Sequence, residues 1–285
     1  MSKLDKVYNN SLKIYFDETS KIILMSDCHR GDGSFRDNFK KNKNIYFESL
    51  NYYYKDGYTY IEIGDGDELW ENKNMKEIIK QYFNIFSLLS KFNEKKRLYL
   101  IYGNHDKVKK TKKVYKKYLC NNLKDINFYE GITLINKNNN DELFLLHGHQ
   151  GDLLNDNLWI ISKFFVRYIL KPFDLLIRNN PTNRSIECTE KRLLNWSKIH
   201  NKIVIIGHTH NPEFPRLKTN LYFNVGSCIN ANEVTGIEIK NNELSLIKWS
   251  NRTKEDNSVY IDKDILIGPR KINDYYVLAN KNKTR

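Results

Sequence analysis

The stretch Lys202-Ile203-Val204-Ile205-Ile206-Gly207-His208-Thr209-His210 passes from a short β-branched run, which reads as a buried strand, straight into a glycine and two histidines. The same pattern recurs along the chain. Asp27-Cys28-His29 follows the run Lys21 to Met25, and Gly64-Asp65 follows Tyr58 to Ile63. Gly103-Asn104-His105-Asp106 follows Arg97 to Ile101, and His147-Gly148-His149 follows Glu142 to Leu146. In α/β sheets the carboxyl ends of strands open onto the binding crevice, so these clusters predict one shared site assembled from distant segments. All of the seven histidines but His200 fall inside them. A lone histidine beside a strand is more often structural; their joint occurrence is what points to a ligand set.

Around these clusters the chain alternates strand-like and helix-like segments. Phe35 to Lys55 and Met75 to Phe92 have helical spacing, and Ser34 with Asp37 reads as a capping-box start for the first. Strand, helix, strand, helix, strand predicts a parallel sheet and an α/β fold. Further strands are expected at Ile132 to Ile135, Leu221 to Val225, Thr235 to Ile239 and Leu244 to Trp249, the last three forming an antiparallel meander. Residues 1–250 then form the main domain. Residues 251–285 read as a polar, basic extension, with Val259 to Ile261 and Tyr275 to Leu278 able to dock.

Between Leu153 and Ile199 two helices are expected as an insertion, separated at Asn179, Asn180 and Pro181. Leu158 to Ile177 is apolar apart from a stripe at Lys163, Arg167, Lys171 and Asp174, continued by Arg178, and Pro172 should kink it. Such a helix must be covered by something: the core, a second subunit, an acyl chain or an anionic bilayer.

Composition narrows the setting. The chain has 285 residues, 40% hydrophobic and 28% charged, which excludes disordered and fibrous classes. Lys and Arg number 47 against 34 Asp and Glu, a net charge of +13 that suits phosphate, nucleic acid or an anionic membrane face. An A/T-rich coding bias toward Lys, Asn, Ile and Tyr explains the same excess. The lysine-rich Lys107 to Lys117 fits a nucleic-acid backbone or an ordinary solvated face, but there is no aromatic-interleaved basic groove, so nucleic acid is not the expected partner. The start MSKLDKVYNN has no signal-peptide core and no long uncharged apolar run follows, so a cytoplasmic protein is expected. Peripheral contact with the inner membrane face would suit the charge and the insertion. Cys28, Cys120, Cys188 and Cys228 are too widely spaced for a C-x-x-C site and read as reduced thiols.

Imidazole, carboxylate and one amide oxygen, with no required thiolate, suit Mn, Fe, Zn or Ni better than Ca or Mg; the donor types do not choose among these four, of which Mn is placed first. In Asp27-x-His29 and His208-x-His210, residues two apart in an extended segment would point the same way and grip one cation. Glycines 64, 103, 148 and 207 read as permitting tight turns at the strand ends.

The series D-x-H, G-D, G-N-H-D, H-G-H and G-H-T-H, complete and in order from Ile22 to about Ile239, resembles the calcineurin-like metallophosphoesterases. The resemblance implies a four-layer α-β-β-α sandwich carrying a helical cap over 153–199, and a dinuclear metal site at the strand ends. Carried over by position, it implies Asp27, His29, Asp65 and His210 on one metal and Asp65, Asn104, His147 and His208 on the other, Asp65 bridging. Two cations about 3.5 to 4 Å apart hold a hydroxide for in-line attack at phosphorus. His105 then remains as general acid, with Asp106 orienting its other nitrogen. Arg30 either forks two phosphate oxygens or pairs with Asp32 or Asp37. His149 reads as standing behind a ligand, and Asp67 and Glu68 as supporting or surface residues. Asn224-Val225-Gly226-Ser227 looks like the family's N-x-G-S turn in the crevice wall.

The expected activity is hydrolysis of a phosphate ester or pyrophosphate bond in a phosphorylated substrate. The insertion resembles that of the UDP-diacylglucosamine pyrophosphohydrolases, with H-G-H here where that branch has H-G-D. A protein or small-molecule phosphomonoesterase and a non-catalytic scaffold of the same fold are the alternatives.

Overall fold

A computed structural model describes residues 1–72, 74–111, 123–151, 183–217 and 219–281. The greasy first half of the expected cap, with Trp159, Phe164, Phe165, Tyr168, Ile169 and Phe173, lies outside the described residues, as do Lys112 to Lys117 and Cys120.

Two mixed sheets form the centre. The larger has seven strands, β2 (Lys21–Met25), β3 (Thr59–Ile63), β4 (Leu98–Ile101) and β5 (Phe128–Tyr129) in parallel, extended on the β2 side by antiparallel β10 (Glu233–Lys240), β11 (Glu243–Thr253) and β12 (Val259–Lys271). The smaller has five, in the order β1 (Leu12–Phe16), β6 (Gly131–Asn136), β7 (Glu142–Leu146), β8 (Ile203–Ile206), β9 (Tyr222–Asn224).

Alternation within each strand divides its side chains between two cores. Ile22, Leu24, Ile61 and Ile63 of the large sheet meet Leu134, Leu143, Leu145, Ile203 and Ile205 of the small one between the layers. Their neighbours Ile23, Met25, Tyr60, Leu98 and Leu100 point outward, beneath α2 (Lys43–Lys55) and the pair α3 (Met75–Gln81) and α4 (Phe83–Glu94). Those helices present matching stripes: Ile45, Tyr46, Leu50 and Tyr53 on α2, and Ile85, Phe86, Leu89 and Phe92 on α4. On the far side, Phe144, Leu146, Val204 and Ile206 lie under α1 (Lys3–Asn9) and α5 (Asn183–His200), which contribute Leu4, Val7, Leu193 and Trp196. The result is the four-layer α-β-β-α sandwich.

Several expectations change. The capping box at Ser34 and Asp37 does not form: Asp37 precedes a 3₁₀ turn over Asn38–Asn42 without capping it through its side chain. Asp37 instead accepts hydrogen bonds from the Gly33 amide at 2.9 Å and from the Tyr82 hydroxyl, and α2 begins only at Lys43. A capping box does form at Ser2 and Asp5, opening α1. The helix expected over Met75 to Phe92 breaks at Tyr82, where φ −115° and ψ 34° turn the ring inward toward Asp37. The meander is β10, β11 and β12; β9 joins the other sheet, parallel to β8.

The segment past residue 250 is no detached extension. β11 runs on to Thr253, β12 pairs along it from Val259 to Lys271, and α6 (Ile272–Lys281) buries Ile272, Tyr275 and Tyr276 in the core between the sheets. Tyr276 hydroxyl donates to the Glu142 carbonyl and accepts from the Ile203 amide at 3.2 Å, pinning α6 to the small sheet. A chain ended at residue 250 loses these three side chains, each worth about 1.5–3 kcal/mol of burial, and bares a strand edge. Its thermal melt is expected about 10 °C or more below that of the full chain, or to lose cooperativity. An unchanged melt would overturn this placement of the C-terminal segment.

Candidate metal centre

The histidine clusters all leave carboxyl ends of strands, from both sheets, and converge. Asp27 and His29 follow β2, Asp65 follows β3, Asn104 and His105 follow β4, His147 follows β7, and His208 and His210 follow β8. Three groups bring ligand atoms within 4.8 Å of one another: Asp27, His29 and His210; His29, Asp65 and His105; Asp65, His147 and His208. Asn104 joins the last, its Oδ1 3.1 Å from His147 Nε2. Asp65 stands at the junction, Oδ2 3.1 Å from His147 Nε2 and 3.7 Å from His29 Nε2. His200, outside every cluster, stacks on Trp196 of α5, away from this centre.

Local backbone geometry differs from the extended D-x-H and H-x-H expected. Asp27, His29, Asp65, His208 and His210 all have positive φ, between 46° and 70°. Left-handed conformations cost a non-glycine residue free energy and persist only where the surroundings impose them. Here the strands have ended, and each side chain is aimed by a turn rather than by the pleat. Glycine at 103 and 207 supplies space instead of a turn: a Cβ at Gly103 would lie 2.1 Å from Asp65 Oδ1, and one at Gly207 2.5 Å from Asp27 Oδ2.

The donor set fits divalent cations. His147 donates its Nδ1 proton to the Ile63 carbonyl at 2.9 Å, which fixes the tautomer and presents Nε2 to the cluster. His29 is held likewise, Nδ1 3.1 Å from Glu68 Oε2. Among the described residues, Asp27 Oδ1 and His29 Nε2 are buried with no hydrogen-bond partner, the first 3.2 Å from His210 Nε2, a costly arrangement that a cation would relieve. Cys28 lies between two of these residues in sequence, yet its thiol points away, Sγ 3.9 Å from Glu62. The set is therefore carboxylate, imidazole and amide.

The electrostatics agree. Burial would raise the carboxyls of Asp27 and Asp65, but His210 and His147 hold the first well below the ordinary range, and His147 and His105 do so for the second. Burial opposes a charge on His147, while Asp65 and Asp27 raise its pKa to about 9. His208 is pushed the other way, to about 3, by burial and by His147. Two ionised carboxylates are thus fixed in a pocket of imidazoles.

His105 is partly exposed at the mouth. Its amide donates to Asp65 Oδ1 at 2.8 Å and its Nδ1 to Glu68 Oε2 at 2.7 Å. Asp106, expected to orient this ring, does not touch it. It is fully buried behind the centre, accepting from the Gly103 amide at 2.7 Å and from the Gly66 amide at 3.2 Å, and pairing with Lys109. Glu68 has the part expected of Asp106, because the loop after β3 climbs past the cluster while Asp106 turns back under it.

Arg30 is corrected more strongly. Its side chain is buried, Nη1 and Nη2 forking Glu62 at 2.7 and 3.0 Å and Nε meeting Asp67 at 2.7 Å. The guanidinium is spent on the interior, and its partners are neither phosphate nor the expected Asp32 or Asp37. Asp67 is equally internal, shared with Lys109 at 2.7 Å. His149 is buried, its ring 5.5 Å from that of His147, behind the cluster. Asn224 braces the turn of the last histidine pair, donating to the Gly207 carbonyl at 2.9 Å and to Thr209 Oγ1 at 2.8 Å.

The family model described as calcineurin-like phosphoesterase matches residues 20–212. No curated protein matches the chain. Among solved structures, Vps29 of Chaetomium thermophilum is similar at 11% identity with a TM-score of 0.40, over 87% of this chain and 96% of that one. A structure described as a 5'-nucleotidase from Staphylococcus aureus in complex with alpha-ketoglutarate is similar at 12% identity with a TM-score of 0.37. That match covers 93% of this chain and 58% of the other. Among the described residues, no helix is long and apolar enough to cross a membrane.

Proposed function

The chain belongs to the calcineurin-like phosphoesterases, and from that premise we propose that it is a hydrolase of phosphate esters or pyrophosphate bonds that works with two divalent cations. The observation that carries this reading is Asp65, shared between two ligand groups at the junction of both sheets. Asp27, His29, Asp65 and His210 would hold one cation, and Asp65, Asn104, His147 and His208 the other. Manganese is the metal proposed, from a donor set of imidazole, carboxylate and amide without thiolate. Such cations supply a polarised phosphoryl oxygen and a water of lowered pKa.

The chain's own residues do the rest. Ile63 and Glu68 fix the rings of His147 and His29 so that each Nε2 faces the cluster. His105, with Nδ1 occupied by Glu68, is left with Nε2 to give a proton to the departing oxygen. The substrate is a phosphorylated compound.

The test is hydrolysis of chromogenic phosphate mono- and diesters with Mn, Zn or no added metal, in the wild type and in Asp65→Ala. Metal-dependent turnover is expected to fall at least about 10³-fold in Asp65→Ala, with loss of bound metal, since one residue serves both sites. The monoester-to-diester ratio then assigns the substrate class. A wild type that binds two metals and turns over neither ester would speak instead for a scaffold.

A further inference from the structure

The loop after β3 reaches the centre at three points, Asp65, Glu68 and Trp70, and the last enters no expectation drawn from the sequence. The Trp70 indole lies flat on the His105 imidazole, ring centroids 4.2 Å apart and 18° from parallel. Its Nε1 donates to the Asn104 carbonyl at 2.7 Å. The loop itself is tied down: Glu68 Oε1 accepts from the amides of Trp70 at 3.0 Å and Glu71 at 3.2 Å, while Oε2 holds the rings of His29 and His105.

We propose that Trp70 is a positioning residue that clamps the Asn104–His105 segment and aims the proton-donating face of His105 at the leaving oxygen. The inference rests on the phosphoesterase reading above. The geometry leaves His105 one ring freedom to lose. Its amide is fixed by Asp65 and its Nδ1 by Glu68, but one hydrogen bond at Nδ1 permits the ring to pivot about that contact. A flat indole against the imidazole face, with the T-shaped edge of His29 4.6 Å away, removes the pivot. The same indole anchors the carbonyl of Asn104, so one side chain sets both the amide ligand and the acid that follows it. Proton transfer requires heavy atoms within about 2.6–3.2 Å, and a misplacement of about 1 Å costs on the order of 10²-fold.

The experiment compares p-nitrophenyl with phenyl esters, as monoesters or methyl diesters, in Mn-loaded wild type, Trp70→Leu and Trp70→Phe. A good leaving group departs without a proton, whereas phenolate needs one. At saturating Mn, Trp70→Leu is expected to lower kcat on the phenyl ester about 10²-fold and on the p-nitrophenyl ester only a few-fold, with KM for the ester unchanged. Trp70→Phe keeps the stack without the N–H donor and should restore most of the phenyl-ester turnover. In the metal-free protein, the His105 ring resonances should carry an aromatic ring-current shift in wild type and Trp70→Phe that is lost in Trp70→Leu. Equal losses on both esters, or ring resonances indifferent to Trp70→Leu, would overturn the clamp. A wild type inactive on every ester defeats the phosphoesterase reading instead, while the ring resonances still decide the clamp.

Discussion

Replacing Arg30 with alanine is expected to cost about 3–5 kcal/mol of folding stability, the usual penalty for removing one partner of a fully buried charge network. Its guanidinium makes four hydrogen bonds, two to Glu62, one to Asp67 and a longer one to the Tyr46 hydroxyl at 3.4 Å, and neither acid reaches solvent. Burial alone would disfavour the charge on Arg30, but Asp67 and Glu62 outweigh it and raise its pKa well above the ordinary value. After Arg30→Ala, Asp67 retains Lys109 and Glu62 retains the Tyr60 hydroxyl at 3.1 Å, too little to balance both charges. The melt should fall by about 10 °C, with KM for the phosphoester unchanged in the protein that remains folded. A variant that melts like the wild type but binds its phosphoester far more weakly would return Arg30 to the substrate.

Glu68→Gln should depress turnover about 10²-fold to 10³-fold with little loss of stability. One carboxylate oxygen holds Nδ1 of both His29 and His105, so it orients together the ring proposed to bind metal and the ring proposed to give the proton. Burial opposes the charge on Glu68, yet His105 and His29 hold its carboxyl well below the usual range, so it is an acceptor at neutral pH. A neutral amide of the same shape loses the charge-assisted contact and offers an NH₂ that can face one of the rings. Outer partners of this kind typically contribute 10–100-fold to metal affinity or activity, and general acids 10²–10⁴-fold. Measuring kcat beside the Mn dissociation constant separates the two parts. A Glu68→Gln enzyme normal in both would mean that Glu68 positions neither ring.

Asp27, His29, Asp65, Asn104, His105, His147, His208 and His210 could be picked out because each stands directly after a strand, and strands announce themselves by short-range periodicity. Glu68 is legible as a supporting or surface residue but not as the partner of His29 and His105, and Trp70 gives no signal except its nearness to Gly64-Asp65. In the tail, docking is legible at Val259 to Ile261 and around Tyr275, but the strand between them is not, because β12 is an edge strand: most of its side chains are exposed, so its composition looks like a solvated segment. Tyr275 and Tyr276 are buried only because α6 is carried back onto the sheets by that strand.

The sequence by itself determined the α/β class, the strands that end in histidine and aspartate clusters and the chemistry of those clusters, since all three are carried by neighbours along the chain. Only the tertiary structure decided that Arg30 faces Glu62 and Asp67, that Glu68 rather than Asp106 meets His105, and that β9 leaves the meander for the other sheet. Each of these is a choice of partner across 15 residues or more, or a choice of which way a loop turns, and it is made by which surfaces must be buried together.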